Sequence, residues 1–241
     1  MASPARVVIF DTETTGLSPA TGDRIVEIGC VELIGFDVGR TYHSYINPQR
    51  DVPEEVIRVH GLTGHFLADK PLFSQVHADL MDFFGADMIV AHNAEFDRRF
   101  LNAELELCGI AAVPKERFID TLERAKAKLR AGMRLSLDGL SKHYRLDQRG
   151  FDLNARKGAG GHGALIDAKM LAEIYIELQG GRVQQFSFGD EPTKNAEGEA
   201  VVSTAKIRPR LSPLPLLSTA EERALHDQFN NELGGGNPWS N

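Results

Sequence analysis

The chain predicts an α/β fold: a mixed five-stranded sheet with helices on both faces, followed by a flexible C-terminal tail carrying a docking helix. Three observations predict it. Three strand patterns follow one another near the start, short apolar strand patterns then alternate with helical ones, and the composition changes after Gly181. Consecutive strands pair antiparallel and helix-separated strands pair in parallel, so the combination gives a mixed sheet covered on both sides. A chain of 241 residues can bury one good core plus a smaller appendage.

Val7-Val8-Ile9-Phe10 is a β-branched and aromatic run, the mark of a buried strand, and it ends on Asp11-Thr12-Glu13. Residues 24–33 are mostly apolar and read as a second strand. Residues 41–46 alternate as a third, which Asn47-Pro48 ends. A short helix is expected over residues 54–60, and Phe73, Val76, Leu80, Phe83 and Phe84 recur at helical spacing. Residues 88–91 form a short apolar strand. Residues 95–108 follow as a helix with Phe96, Phe100, Leu101, Leu105 and Cys108 along one side. Phe118-Ile119-Asp120 is the last strand, before helices over residues 121–129 and 136–144. An amphipathic helix over residues 164–178, stopped by Gly180-Gly181, closes a domain of residues 1–181.

Residues 182–217 read as a flexible linker; residues 189–206 are poor in aromatics and rich in Gly, Glu, Thr and Ala. Residues 218–241 form a third segment. Ser218-Thr219-Ala220-Glu221 is a capping box, and Leu225, Phe229 and Leu233 make an apolar stripe. A lone helix of that length is marginal in water, so it folds back or docks on a partner, with Trp239 as an interface anchor.

Two cysteines, Cys30 and Cys108, without a CxxC pair argue against a disulfide scaffold or a zinc site and fit a reducing cytoplasm. No apolar run approaches the roughly 20 residues needed to cross a bilayer, so no membrane association is expected. The first strand is expected within a few residues of Met1, so no signal peptide is expected. A net charge of -7 argues weakly against tight nonspecific binding to nucleic acid and does not exclude an enzyme acting on it.

The chemistry is carried by three short segments. Asp11 and Glu13 leave the same face of an extended strand, and two adjacent acids repel unless a cation sits between them. Asp97 stands one turn into a helix that Asn93 can cap; charge compensation at that helix N-terminus is the plainer reading of Glu95 and Asp97. His162 lies in the glycine-rich Gly160-Gly161-His162-Gly163, where it would be mobile, and Asp167 follows in the next helix. That loop lacks the lysine of a nucleotide-binding P-loop. Four carboxylates and a histidine together suit phosphodiester hydrolysis. Two divalent ions about 4 Å apart would activate water and stabilise the leaving oxygen, and the imidazole would take the proton.

Asp11-Thr12-Glu13-Thr14-Thr15-Gly16, His92-Asn93-Ala94-x-Phe96-Asp97 and His162-Gly163-Ala164-x-x-Asp167 resemble, in order and spacing, the three motifs of the DEDDh 3′–5′ exonucleases. More narrowly, the chain resembles the proofreading epsilon subunits of bacterial DNA polymerase III. Val59-His60-Gly61-Leu62, Asp69-Lys70-Pro71, Ser136-Leu137-Asp138-Gly139-Leu140 and Ala168-x-x-Leu171-Ala172-Glu173-Ile174-Tyr175 add to the likeness, which spans about residues 6–181.

The resemblance implies a ribonuclease H-like sheet and a site holding two Mg²⁺ or Mn²⁺ ions. Asp11, Glu13 and Asp167 would hold the catalytic ion, with Asp11 also reaching the second; Asp97 would complete the site through coordinated water, and His162 would be the general base. Glu55 and His60 match positions that contact the terminal nucleotide. Thr14, Thr15 and Gly16 would lie against its sugar and base, and His92 and Asn93 would line the groove. The substrate would be DNA with a single-stranded or frayed 3′ end. The C-terminal tail would hold the polymerase III alpha subunit, and Gln184-Gln185-Phe186-Ser187-Phe188 would touch the sliding clamp, although Ser187 stands where such peptides carry Leu or Met. An RNA-processing exonuclease of the same superfamily, or a silent adaptor with the same fold, are the alternatives.

Overall fold

The computed structural model describes residues 5–153 and 162–181, with residues 193–194 and 200–201. Strands β1 (Arg6–Thr14), β2 (Ile25–Ile34) and β3 (Asp37–Tyr45) form an antiparallel meander; β4 (Met88–Ala91) and β5 (Phe118–Asp120) continue the sheet in parallel with β1. The strand order is β3-β2-β1-β4-β5, a mixed five-stranded sheet as the sequence predicts. Its helices are α1 (Glu54–His60), α2 (Gly64–Leu67), α3 (Phe73–Phe84), α4 (Ala94–Leu107), α5 (Thr121–Lys128), α6 (Leu137–His143) and α7 (Ala164–Leu178).

Strand alternation sorts the apolar run of β1 into two cores. Val8 and Phe10, with Ile28 and Cys30 of β2, pack against Phe73, Leu80 and Phe84 of α3 and Phe100, Leu101 and Leu105 of α4. Ile9 faces the other way, with Val31, Leu33 and Val90, onto Ala168, Leu171, Ala172, Tyr175 and Ile176 of α7. A further face of α7, Met170, Ile174 and Leu178, packs on Ala125 of α5 and Leu140 of α6. This helix is buried on two sides, so its sequence is apolar at most positions.

Gly29 of β2 sets how closely α7 approaches the sheet. A Cβ built there would stand 2.2 Å from the Ala164 carbonyl carbon and 2.3 Å from the Leu165 nitrogen. Helix backbone lies on strand backbone at this point, and Gly29 is the register partner of Asp11. Two buried acids tie the periphery. Glu104 of α4 accepts from Arg24 at Nε (2.8 Å) and Nη2 (2.7 Å), and Glu32 of β2 accepts from Arg6 Nε (2.5 Å) and Arg40 Nη2 (3.1 Å).

Several boundaries differ from the sequence expectation. β3 begins at Asp37 rather than residue 41, because a tight hairpin with Gly35 at a φ of 65° brings it alongside β2 at once. The short α2, started by Thr63 accepting from the Phe66 N–H, carries too few residues for a periodic pattern. The chain divides into units Met1–Gln185 and Phe186–Asn241. In the second, within the stretch read as linker, Thr193–Lys194 pairs antiparallel with Ala200–Val201. The segment Gln184-Gln185-Phe186-Ser187-Phe188 and the helix and tail expected over residues 218–241, with Trp239, lie outside the described residues. Among the described residues no helix is long and apolar enough to cross a membrane.

Gly29→Ala would drive a methyl group into the α7 backbone. It is expected to destabilise the domain by about 1–3 kcal/mol, as overpacking does, read as a lower urea midpoint. Arg40 and then Arg6 pull the Glu32 carboxyl from 4.5 down to about 2. An acid whose folded pKa is depressed contributes stability above its unfolded value and loses it as pH falls through the folded one. Glu32→Gln should therefore lower stability at pH 7 and flatten the acid limb between pH 4.5 and 2, measured by urea titration at stepped pH.

Candidate active site

β1 delivers Asp11 and Glu13, both half-buried, at the sheet edge where β4 and β5 also end. Alternation places them on the face of Ile9, the face covered by α7. The start of α7 lies against this face because of Gly29, and Asp167 sits buried in its first turn. Ligand atoms of Glu13, His162 and Asp167 all lie within 4.8 Å of one another. His162 is turned toward this cluster by Nδ1, 3.3 Å from Asp167 Oδ2, and its N–H donates to the Val59 carbonyl (3.4 Å). The loop histidine is thus tied at ring and backbone.

Asp97 approaches from the other side. It stands in the first turn of α4, 4% exposed, and Thr12 Oγ1 donates to its Oδ1 (2.7 Å). Thr12 lies between Asp11 and Glu13 and points to the opposite face, so Asp97 meets β1 from the α4 side. Burial holds the Asp97 carboxyl well above the usual carboxylate range; the Thr12 hydrogen bond opposes that and the nearby Asp120 charge adds to it. A bound dication would favour the ionised form and reverse the shift.

The corner before α4 departs from expectation. Asn93 occupies the cap position with a φ of 61° but makes no side-chain cap. Asp120, at the end of β5, caps in its place: Oδ1 accepts from Asn93 N–H (3.0 Å) and Oδ2 from Ala94 N–H (3.1 Å). The same carboxylate caps α5 at the Leu122 N–H (2.8 Å). An acid 27 residues downstream of Asn93 outcompetes the local side chain because the parallel β4–β5 pairing sets it beside two unsatisfied donors. Next to it, Thr121 Oγ1 donates to the Ala91 carbonyl (3.2 Å) and meets His92 Nδ1 at 2.9 Å. Burial lowers the His92 pKa.

The Thr14-Thr15-Gly16 turn is built from within. Thr15 is fully buried, its hydroxyl accepting from Arg24 N–H (3.0 Å) and lying 3.4 Å from Asp23 Oδ1. Thr14 Oγ1 donates to the Gly16 carbonyl (2.6 Å), and a Cβ on Gly16 would stand 2.3 Å from Asp23 Oδ2. The Thr15 hydroxyl is thus engaged within the turn. Leu17 follows, 79% exposed.

His60 ends α1, 5% exposed, with Nδ1 accepting from the Leu62 N–H (3.0 Å). Its buried Nε2 has no hydrogen-bond partner among the described residues. Burial lowers its pKa, the Thr14 backbone opposes that, and His162 lowers it further. Glu55 stands exposed in the first turn of α1.

The exonuclease (RNase T) family model matches residues 8–175. The chain belongs to that exonuclease family. A Rickettsia conorii protein named DNA polymerase III subunit epsilon is 40% identical over 94% of this chain and 96% of its own length. The Escherichia coli protein of the same name is 34% identical over 92% and 90%. Among solved structures, exonuclease X in complex with 5′-overhanging duplex DNA is 29% identical with a TM-score of 0.54, covering 72% of this chain and 91% of that one. The nuclease domain of 3′hExo, a DEDDh family member bound to rAMP, shares the fold at a TM-score of 0.57 and 20% identity, over 73% and 92%. These matches and the sheet establish a ribonuclease H-like exonuclease fold.

Thr12, Asp120 and Thr121 are residues that motif reading passes over. Asp120-Thr121 carries a recognisable signal, an acid directly before a helix that a hydroxyl residue opens. Removing the shared cap by Asp120→Ala is expected to destabilise the domain by about 0.5–2 kcal/mol, read by chemical denaturation.

Proposed function

We propose that this exonuclease proofreads for a bacterial replicative polymerase, hydrolysing mispaired 3′-terminal nucleotides to 5′-monophosphates with the help of divalent cations. The observation that carries the reading is the convergence of Glu13, His162 and Asp167, joined to relatives of that name along almost the whole chain.

Asp11, Glu13 and Asp167 offer hard oxygen donors suited to Mg²⁺ or Mn²⁺. When bound, two such ions would supply Lewis acidity and the positive charge that a phosphodiester transition state requires. Asp97, held by Thr12, would help to hold them. His162 is the general base: with Nδ1 on Asp167, its Nε2 is the nitrogen that takes the proton from the attacking water. His60 would donate from Nε2 to the terminal nucleotide and Glu55 would contact it, while the backbone of Thr14, Thr15 and Gly16 lies against its sugar and base. His92 and Asn93 line the groove, and exposed Leu17 offers an apolar surface to a base. Only an unpaired end can present its last bases this way, which favours frayed mispairs. In the cytoplasm, residues 218–241 would hold the polymerase alpha subunit, and Gln184-Gln185-Phe186-Ser187-Phe188 would touch the clamp.

The test is nucleotide release from matched DNA and RNA oligomers, with paired and mispaired 3′ ends, in Mg²⁺ or Mn²⁺. Asp11→Ala should abolish release, and His162→Ala should lower the rate about 10²–10⁴-fold. A clear preference for RNA would replace proofreading with RNA processing.

A further inference from the structure

Glu27 and His43 lie outside the three exonuclease motifs and beside the candidate site. Glu27 of β2 is the register partner of Glu13, so their side chains share the face covered by α7. His43 of β3 is opposite Gly29 on the same face. Glu27 is 3% exposed, and its Oε1 lies 2.7 Å from His43 Nε2. The His43 ring is braced edge-on against Tyr45 at 4.8 Å between centroids, and Tyr45 in turn against Phe66 of α2 at 5.0 Å.

Further along β2 the same face carries Val31 and Leu33, which pack on α7. An acid in that row costs stability unless it is paired, and an apolar residue would pack there at no such cost. What Glu27 does provide is a fixed polar floor at one place. Its two carboxylate oxygens stand 3.8 and 3.9 Å from where a Cβ on Gly163 would be. Gly163 joins His162 to α7, and the Asp167 N–H donates to its carbonyl (2.9 Å). The backbone N–H of His162, one residue before Gly163, donates to the Val59 carbonyl over 3.4 Å. The floor under Gly163 thus bears on where the imidazole stands.

We propose that Glu27, held by His43, is a positioning residue for His162: the pair supports the Gly163 link and so sets the imidazole against Asp167 and the reacting water. The inference rests on the general-base role given to His162 above. Glu27 acts through the histidine rather than on substrate or reacting atoms.

The test is a double-mutant cycle on the full chain, with a thymidine oligomer and Mn²⁺, using Glu27→Gln in the parent and in His162→Ala. In the parent background kcat should fall about 10–100-fold, as for lost outer supports of a site, with KM and the half-saturating Mn²⁺ concentration unchanged. In His162→Ala the same substitution should have no further effect. Equal losses in both backgrounds, or a changed Mn²⁺ half-saturation, would overturn the proposal. His43→Gln is the second variant should Glu27→Gln fail to fold, with the same pattern expected. A readout independent of turnover is the ¹⁵N resonance of the His162 ring, which should move in Glu27→Gln while α7 core signals stay put. An inactive parent showing that movement would sink the functional reading alone; an unmoved His162 resonance would sink the positioning role.

Discussion

The approach of the α7 backbone to Gly29 is the contact on which the rest depends. It exists because one position in β2 has no side chain. That absence lets the helix start touch the strand directly across from Asp11, and Asp167, His162 and Glu13 meet as a result. The two cores follow the same logic. Alternation along β1 sends Val8 and Phe10 to α3 and α4 and Ile9 to α7, so the strand bearing the acids is clamped from both faces. Acids at the end of such a strand have little freedom to relax away from one another. Their repulsion is held in the fold, where a cation can relieve it.

The buried acids divide into two kinds by partner. Glu32 and Glu104 rest on arginines, which keep their charge at the periphery and tie strands to helices. Near the cleft the partners are weaker: a hydroxyl for Asp97, an imidazole for Asp167 and another for Glu27. Arginine within the cleft would neutralise the field that attracts a metal. The difference in partner keeps the negative potential where a phosphodiester enzyme needs its cofactor.

Much of this was legible in the sequence, for identifiable reasons. β4, β5, α1 and α7 stand where their patterns place them, since short apolar runs and a long amphipathic stretch are local signals. Asp11 and Glu13 share a face because extended backbone has a period of two. What was not legible is tertiary. Asn93 yields its capping role to Asp120, Thr15 bonds with Asp23 and Arg24, and Asp97 meets β1 through Thr12. Each depends on which segments the sheet sets side by side, and no window of sequence contains that.

The bond set of Asp120 has one further consequence. A single carboxylate receives donors from the starts of α4 and α5, so those two helices share one pivot. Torque on α5, whether from a neighbouring molecule or from thermal bending, is passed to Asn93 and Ala94 rather than absorbed between them. The start of the helix that bears Asp97 is therefore coupled to α5 through one carboxylate.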